Sequence, residues 1–123
     1  MVRNHTRNTL VADSAEVAHT SAARRTGLLR HERLNNGQGL WIVPCEAVHT
    51  CFMKFPIDLV YLDRRKKVQK VRKRVAPWRV SACWRAHSVL ELPAGTVDRT
   101  GTQAGDQLVM EGLELRRPPI TKP

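Results

Sequence analysis

No stretch of the 123 residues approaches the run of about 18 apolar positions that a membrane-spanning helix needs. Residues 1–23, which include Arg3, Asn4, His5, Arg7 and Asn8, contain no apolar segment of signal-peptide length. The sequence therefore reads as a cytoplasmic protein. Cysteine is sparse: Cys45, Cys51 and Cys83 are odd in number and lack a repeating spacing, which argues against a closed disulfide framework and fits a reducing compartment. There is no Cys-x-x-Cys pair, no phosphate-binding Gly-rich loop, no Gly-x-Ser-x-Gly elbow and no His-Glu-x-x-His. Internal repeats and low-complexity stretches are also missing. What is present, 41% hydrophobic and 26% charged residues with 7 Gly and 7 Pro, is the make-up of one ordinary globular domain, not of a collagen, a disordered tail or a disulfide scaffold.

Acidic residues are the second shortage. There are 11 Asp and Glu against 21 Lys and Arg, a net charge of +10. The excess is local: residues 41–90 hold 11 Lys and Arg against 3 acids, or +8. Eight cations, Arg64, Arg65, Lys66, Lys67, Lys70, Arg72, Lys73 and Arg74, follow one another without an intervening acid. A field of that sign attracts phosphates, anionic lipid or acidic proteins, and it equally suits a solvated hairpin that keeps a protein soluble.

Aromatic residues make up only 5%, and all of them lie between Trp41 and Trp84, so the core is expected around that middle third. Asn35-Asn36-Gly37 is a turn signal before the β-rich run Leu40–Val43, which Pro44 ends. Ile57–Leu62 is the strongest strand, closed by the polar turn Asp63-Arg64-Arg65-Lys66. Val68, Val71 and Val75 have helical spacing, but β-branching and the tight turn favour the returning arm of a hairpin. Val89–Leu92 and Gln107–Met110 predict two further strands. Between Leu10 and Leu34 two signals compete. Asp13-Ser14-Ala15-Glu16 has capping-box form, while Thr20 or Ser21 could cap a shorter helix ending near Gly27, leaving residues 13–18 as a strand.

An ordered set of segments resembles a known bacterial and archaeal family, domain of unknown function 192. These are Gly27-Leu28-Leu29-Arg30, Gly39–Cys45, Val48-His49-Thr50 with Phe52-Met53-Lys54, Ile57–Asp63, Pro77-Trp78-Arg79, Val89–Gly95 and Gly105-Asp106. The resemblance implies a compact, mostly β, partly barrel-like domain with a small helix over it and no established activity; it favours strand-then-helix for residues 10–29. The expected fold is thus α+β, mostly β, a small partly closed barrel-like domain over 9–116 with one short helix, between flexible tails 1–8 and 117–123. Two departures stand out. Many family members carry an export signal that is not seen here, and Cys51–Pro56 is shorter than the commoner aromatic-Trp-Met-Lys-Asn-Thr form.

Three constellations could carry chemistry. Cys45, His49 and Cys51 are soft and borderline ligands that would need a fourth donor such as Cys83 or His87, but their spacing matches no structural zinc pattern, so no metal is expected. Cys45 and His49 are also the candidates for a thiolate–imidazole pair, which would need Cys45 to approach across a tight turn. Asp58 lies in an apolar strand and must be paired, by Lys54, Arg79 or backbone N–H groups, or face water. With His49, Thr50, Lys54, Arg79 and Glu91 it would form a polar patch walled by Trp78, fit for a small ligand or a partner segment. Mutual satisfaction of these groups at strand ends is the plain alternative. The leading expectation is a binding or accessory module without a cofactor. The alternatives are polyanion or nucleic-acid binding through the basic hairpin, and a small thiol enzyme. With no aromatic residue between Arg64 and Arg74, single-strand binding of the aromatic-platform type is not expected.

Overall fold

The computed structural model describes residues 1–18, 34–51 and 53–113. Among the described residues ten strands run in the order β1 (Val2–Asn4), β2 (Thr9–Ala12), β3 (Ser14–Ala18), β4 (Gln38–Ile42), β5 (Ala47–His49), β6 (Ile57–Leu62), β7 (Val68–Val75), β8 (Val80–Ala82), β9 (Ser88–Pro93) and β10 (Leu108–Met110), with a one-turn helix α1 (Thr96–Thr100) after β9. The fold is α+β and mostly β. A five-stranded sheet, β3-β4-β9-β6-β7, forms the middle layer. It is antiparallel except for the parallel pair β3–β4.

Every residue of β6 and β9 is buried, as expected of strands covered on both faces. Side chains alternate between two cores. Trp41, Val60, Leu62, Leu90 and Leu92 pack toward Val2, Val11, Leu108 and Val97, beneath the three-stranded sheet β10-β1-β2 and α1. Leu40, Ile42, Leu59, Tyr61 and Val89 pack on the other side with Val48 and Met53, beneath the ribbon β5–β8. The Tyr61 hydroxyl donates to Ser81 Oγ at 2.8 Å and ties that ribbon down. Burial is the main cause that raises the Tyr61 phenol above its ordinary pKa.

The expected strands at 40–43, 57–62, 89–92 and 107–110 and the hairpin through 64–74 are present, with bounds shifted by a residue or so. Ser14–Ala18 is a strand, as the family resemblance favoured; the expected helix ending near Gly27 lies outside the described residues. Gly37 turns the chain into β4 at φ 88°, where a Cβ would stand 2.6 Å from Asp13 Oδ1.

One expectation is narrowed and one is corrected. The expected partly closed, barrel-like shape holds only loosely: the middle sheet is open, with β3 and β7 as its edges, and the described strands do not close fully. Residues 1–8 are not a loose tail: β1 is the central strand of its sheet, and Val2 and Asn4 are fully buried. Asn4 Nδ2 donates to Asp106 Oδ2 at 2.9 Å and to Thr102 Oγ1 at 3.2 Å, while its Oδ1 accepts from Arg7 N–H at 3.0 Å. The tail expected at 117–123 lies outside the described residues. In addition, helix α1 follows β9, which no sequence signal announced.

Candidate functional site

Asp58 shares the face of β6 that carries Val60 and Leu62, the side of α1. Its Oδ1 accepts from Arg74 N–H at 2.8 Å, where β7 bulges and Arg74 takes φ 49°; its Oδ2 accepts from Gly95 N–H at 3.1 Å and Val97 N–H at 2.9 Å. Backbone amides, one of the partners the sequence allowed, therefore satisfy this carboxylate. Glu91, equally buried, lies on the opposite face of the sheet, in register with Leu40 and Leu59.

The expected polar patch is accordingly divided. His49, Thr50, Trp78 and Arg79 are together at one end of the β5–β8 ribbon, where His49 pairs with Val80. Thr50 is buried and used internally: its hydroxyl donates to Ala76 O at 2.7 Å and accepts from Arg79 N–H at 2.8 Å, and its carbonyl accepts from Trp78 N–H at 3.1 Å. Lys54 is exposed in the connection before β6, and Asp58 is across the sheet. The patch as drawn from the sequence fails because Asp58 and Glu91 have opposite parity on neighbouring antiparallel strands.

The Cys45 and His49 candidates are also placed differently. β5 runs extended between them, so no tight turn brings the thiol to the imidazole, and Cys45 Sγ donates to Ala47 O at 3.1 Å. The chain turns at Cys51, so His49 and Cys51 do not share a strand face. Among the described residues no group of three or more His, Cys, Asp or Glu side chains converges as a metal site.

The cations of the hairpin do not form one face. Lys70 reaches over the Tyr61 ring at 5.8 Å and donates to Ala82 O at 2.8 Å, on the ribbon side. Lys73 pairs with Asp98 at 2.7 Å, and Arg74 with the same carboxylate at 3.9 Å, on the α1 side. Lys66 lies over Trp41 at 5.5 Å. Because β7 is an edge strand, its charged side chains also deter pairing with another chain's edge.

A cationic cleft forms at the hairpin turn, with a second wall to which the sequence did not point. The antiparallel pairing of β6 with β9, closed by His87 N–H donating to Leu62 O at 2.8 Å, sets the turn after β6 beside the turn before β9. Between them is a cleft of about 360 Å³ lined by Asp63, Arg64, Arg65, Arg85, Ala86 and His87. Three arginines and one aspartate give these lining residues a formal charge of +2 with His87 neutral. Asp63 is occupied in shaping the turn: Oδ1 accepts from Arg65 N–H at 2.8 Å and Lys67 N–H at 2.9 Å, and Oδ2 from Gln69 Nε2 at 3.1 Å. Burial, then the charges of Arg64 and Lys66, hold His87 below its ordinary pKa. Arg85 and His87 were not in the expected polyanion set, because only the β6–β9 register brings them to Arg64.

Comparison with known proteins agrees with this architecture. Over its full length the chain is 29% identical to a UPF0127 protein of Thermococcus sibiricus, 82% of which it covers. A protein of unknown function from Novosphingobium aromaticivorans has the same fold, with TM-score 0.69 and 21% identity over 78% of this chain and 74% of that one. So does a protein from Sinorhizobium meliloti described as a "putative transcription regulator", with TM-score 0.70 and 22% identity over 77% and 79% of the two chains. Residues 2–110 match the model of the DUF192 family, described as uncharacterized ACR, and the chain belongs to that family.

Proposed function

We propose that the protein is a binding module for an anionic partner, which it engages through the cleft between Asp63–Arg65 and Arg85–His87. The observation that carries this reading is the convergence of Arg64, Arg65 and Arg85 on one concave surface. Like charges held together in the free protein are relieved when an anion binds between them, and guanidinium groups present paired donors matched to phosphate oxygens. The net charge of +10 adds long-range attraction for the same class of partner. His87 supports the reading a second way: a proton is disfavoured there, partly by Arg64 and Lys66, so a bound anion would restore it.

The test is isothermal titration with inorganic polyphosphate at several salt concentrations. Binding is expected to weaken steeply with salt, and Arg64→Glu with Arg85→Glu is expected to reduce affinity by about tenfold or more. Affinity indifferent to salt, unchanged affinity in the double variant, or no binding at low salt would each overturn the proposal.

A further inference from the structure

We infer that the anionic partner is a single-stranded nucleic acid, whose bases stack on the exposed tryptophans flanking β8 while its phosphates lie along the cleft and the adjoining edge of β7; this rests on the proposed anion-binding reading.

The argument starts from β8. Ser81 turns inward to Tyr61, so its neighbours turn out: Val80 is 74% exposed, Ala82 is exposed, and the flanking Trp78 and Trp84 are 59% and 79% exposed. Large rings left in water at this level are costly on a small domain and mark contact surfaces. Each of the two is followed directly by an arginine, Trp78-Arg79 and Trp84-Arg85. The Arg85 guanidinium lies over the Trp84 ring at 4.9 Å, and Arg85 also lines the cationic cleft. One residue thus joins an aromatic platform to the cationic cleft.

The hairpin lacks aromatic residues in its own sequence, and the fold supplies them from β8. Lys70 reaches Ala82 O, so the basic edge strand and the ribbon are neighbours, and Arg72, two residues on, faces the same way as Lys70. Cations thus border the ribbon that carries the two rings, and a basic surface beside exposed aromatic faces is the arrangement that binds single strands without reading sequence. Trp78 lies in the bend before β8, at φ 64°, and Trp84 in the turn after it, so the two rings stand at opposite ends of that strand and offer two separate stacking platforms. A duplex keeps its bases stacked inside and offers no ring to these platforms. An anionic membrane fits less well. Burying Trp84 in the interface would carry down the guanidinium packed on its face, whereas a base needs only the other face of the ring and leaves Arg85 to its phosphate.

The experiment measures binding of a labelled oligothymidylate of about 12 nucleotides by fluorescence anisotropy, in parallel with inorganic polyphosphate, the matching duplex and phosphatidylglycerol vesicles. The inference expects the single strand to bind tighter than the duplex, and Trp84→Ala to weaken single-strand binding by about tenfold, several times more than it weakens polyphosphate binding. Arg64→Glu should weaken both. If polyphosphate binds but Trp84→Ala changes nothing, or the duplex or the vesicles bind more tightly than the single strand, the inference is overturned and the anion-binding reading stands. If neither polyphosphate nor oligonucleotide binds, both fall. Trp84 is exposed, so its loss leaves the core intact.

Discussion

The carboxylate of Asp58 accepts a hydrogen bond from the backbone N–H of Val97 at 2.9 Å, although 39 residues separate them in sequence. Helix α1 begins at Gly95 in left-handed conformation and has no cap from its own side chains, so Asp58 does the capping from β6. The same carboxylate holds the bulge at Arg74. A fully buried charge is thus offset by three amide donors and joins α1, β6 and β7.

Asp58→Asn should therefore destabilise the fold severely, because an amide turns a donor toward N–H groups that need an acceptor. The expected loss is about 2–4 kcal/mol in urea unfolding. A midpoint unchanged from the parent protein would show that the carboxylate is dispensable.

Removing residues 1–8 should abolish cooperative unfolding, since β1 is the centre of its sheet and Asn4 fills a buried polar junction with Asp106. Asp106 also accepts from Gln103 N–H at 3.1 Å and Arg7 Nε at 3.2 Å. Burial pushes its carboxyl up, and those partners together more than reverse this, leaving its pKa below the ordinary value. A depressed folded pKa gives stability that is present above the unfolded value, about 3.9, and is lost as pH falls through the folded one. The contribution should begin to fade below about pH 4 and be gone below the folded pKa, and Asp106→Asn should lose about 1–3 kcal/mol at pH 7 and flatten that acid limb. Circular dichroism melts across the range check both.

These two cases also show what the sequence can and cannot convey. Ile57–Leu62 is legible because an unbroken apolar run between a proline and a charged turn has few alternatives to a buried strand. Asp58 is legible as a charge that needs partners, but not which ones, since Val97 reaches it only through the β6–β9 pairing. Val2–Asn4 is too short and too polar to carry a pattern; its place is set by Asp106 and Met110 at the far end of the chain. Likewise α1, with β-branched Thr96, Val97 and Thr100, has poor intrinsic propensity and is capped from outside. The cleft was hidden for the same reason: Arg64 and Arg85 meet only because β6 and β9 are antiparallel neighbours.

His87 makes the anion-binding reading sensitive to pH. Its pKa in the folded protein lies below the ordinary 6.5, so the unfolded chain takes up the proton first, and stability should fall as pH drops through 6.5 toward the folded value. A bound polyphosphate reverses the field from Arg64 and Lys66 and should raise the pKa. Affinity is then expected to increase as pH is lowered from 8 to about 6, with proton uptake on binding. His87→Gln should remove that part of the pH dependence. Titration of the imidazole by NMR, with and without polyphosphate, reads the shift directly; the same pKa in both would mean the anion binds elsewhere.

Asp98 restrains the other end of the basic strand. Its exposed carboxylate pairs with Lys73 and Arg74, and the hydrogen bond from Lys73 is the first cause of its lowered pKa. Exposed pairs of this kind add little to stability, so Asp98→Asn should melt close to the parent. It removes a negative charge from the edge along which phosphates are expected to lie and frees two cations for them. Affinity for polyphosphate or a single strand should rise by about threefold at moderate salt, and its salt dependence should steepen because more counterions are displaced. Titrations of the variant and the parent at matched salt concentrations decide the point: an unchanged slope would confine the bound strand to the cleft and leave Lys73 and Arg74 to the fold.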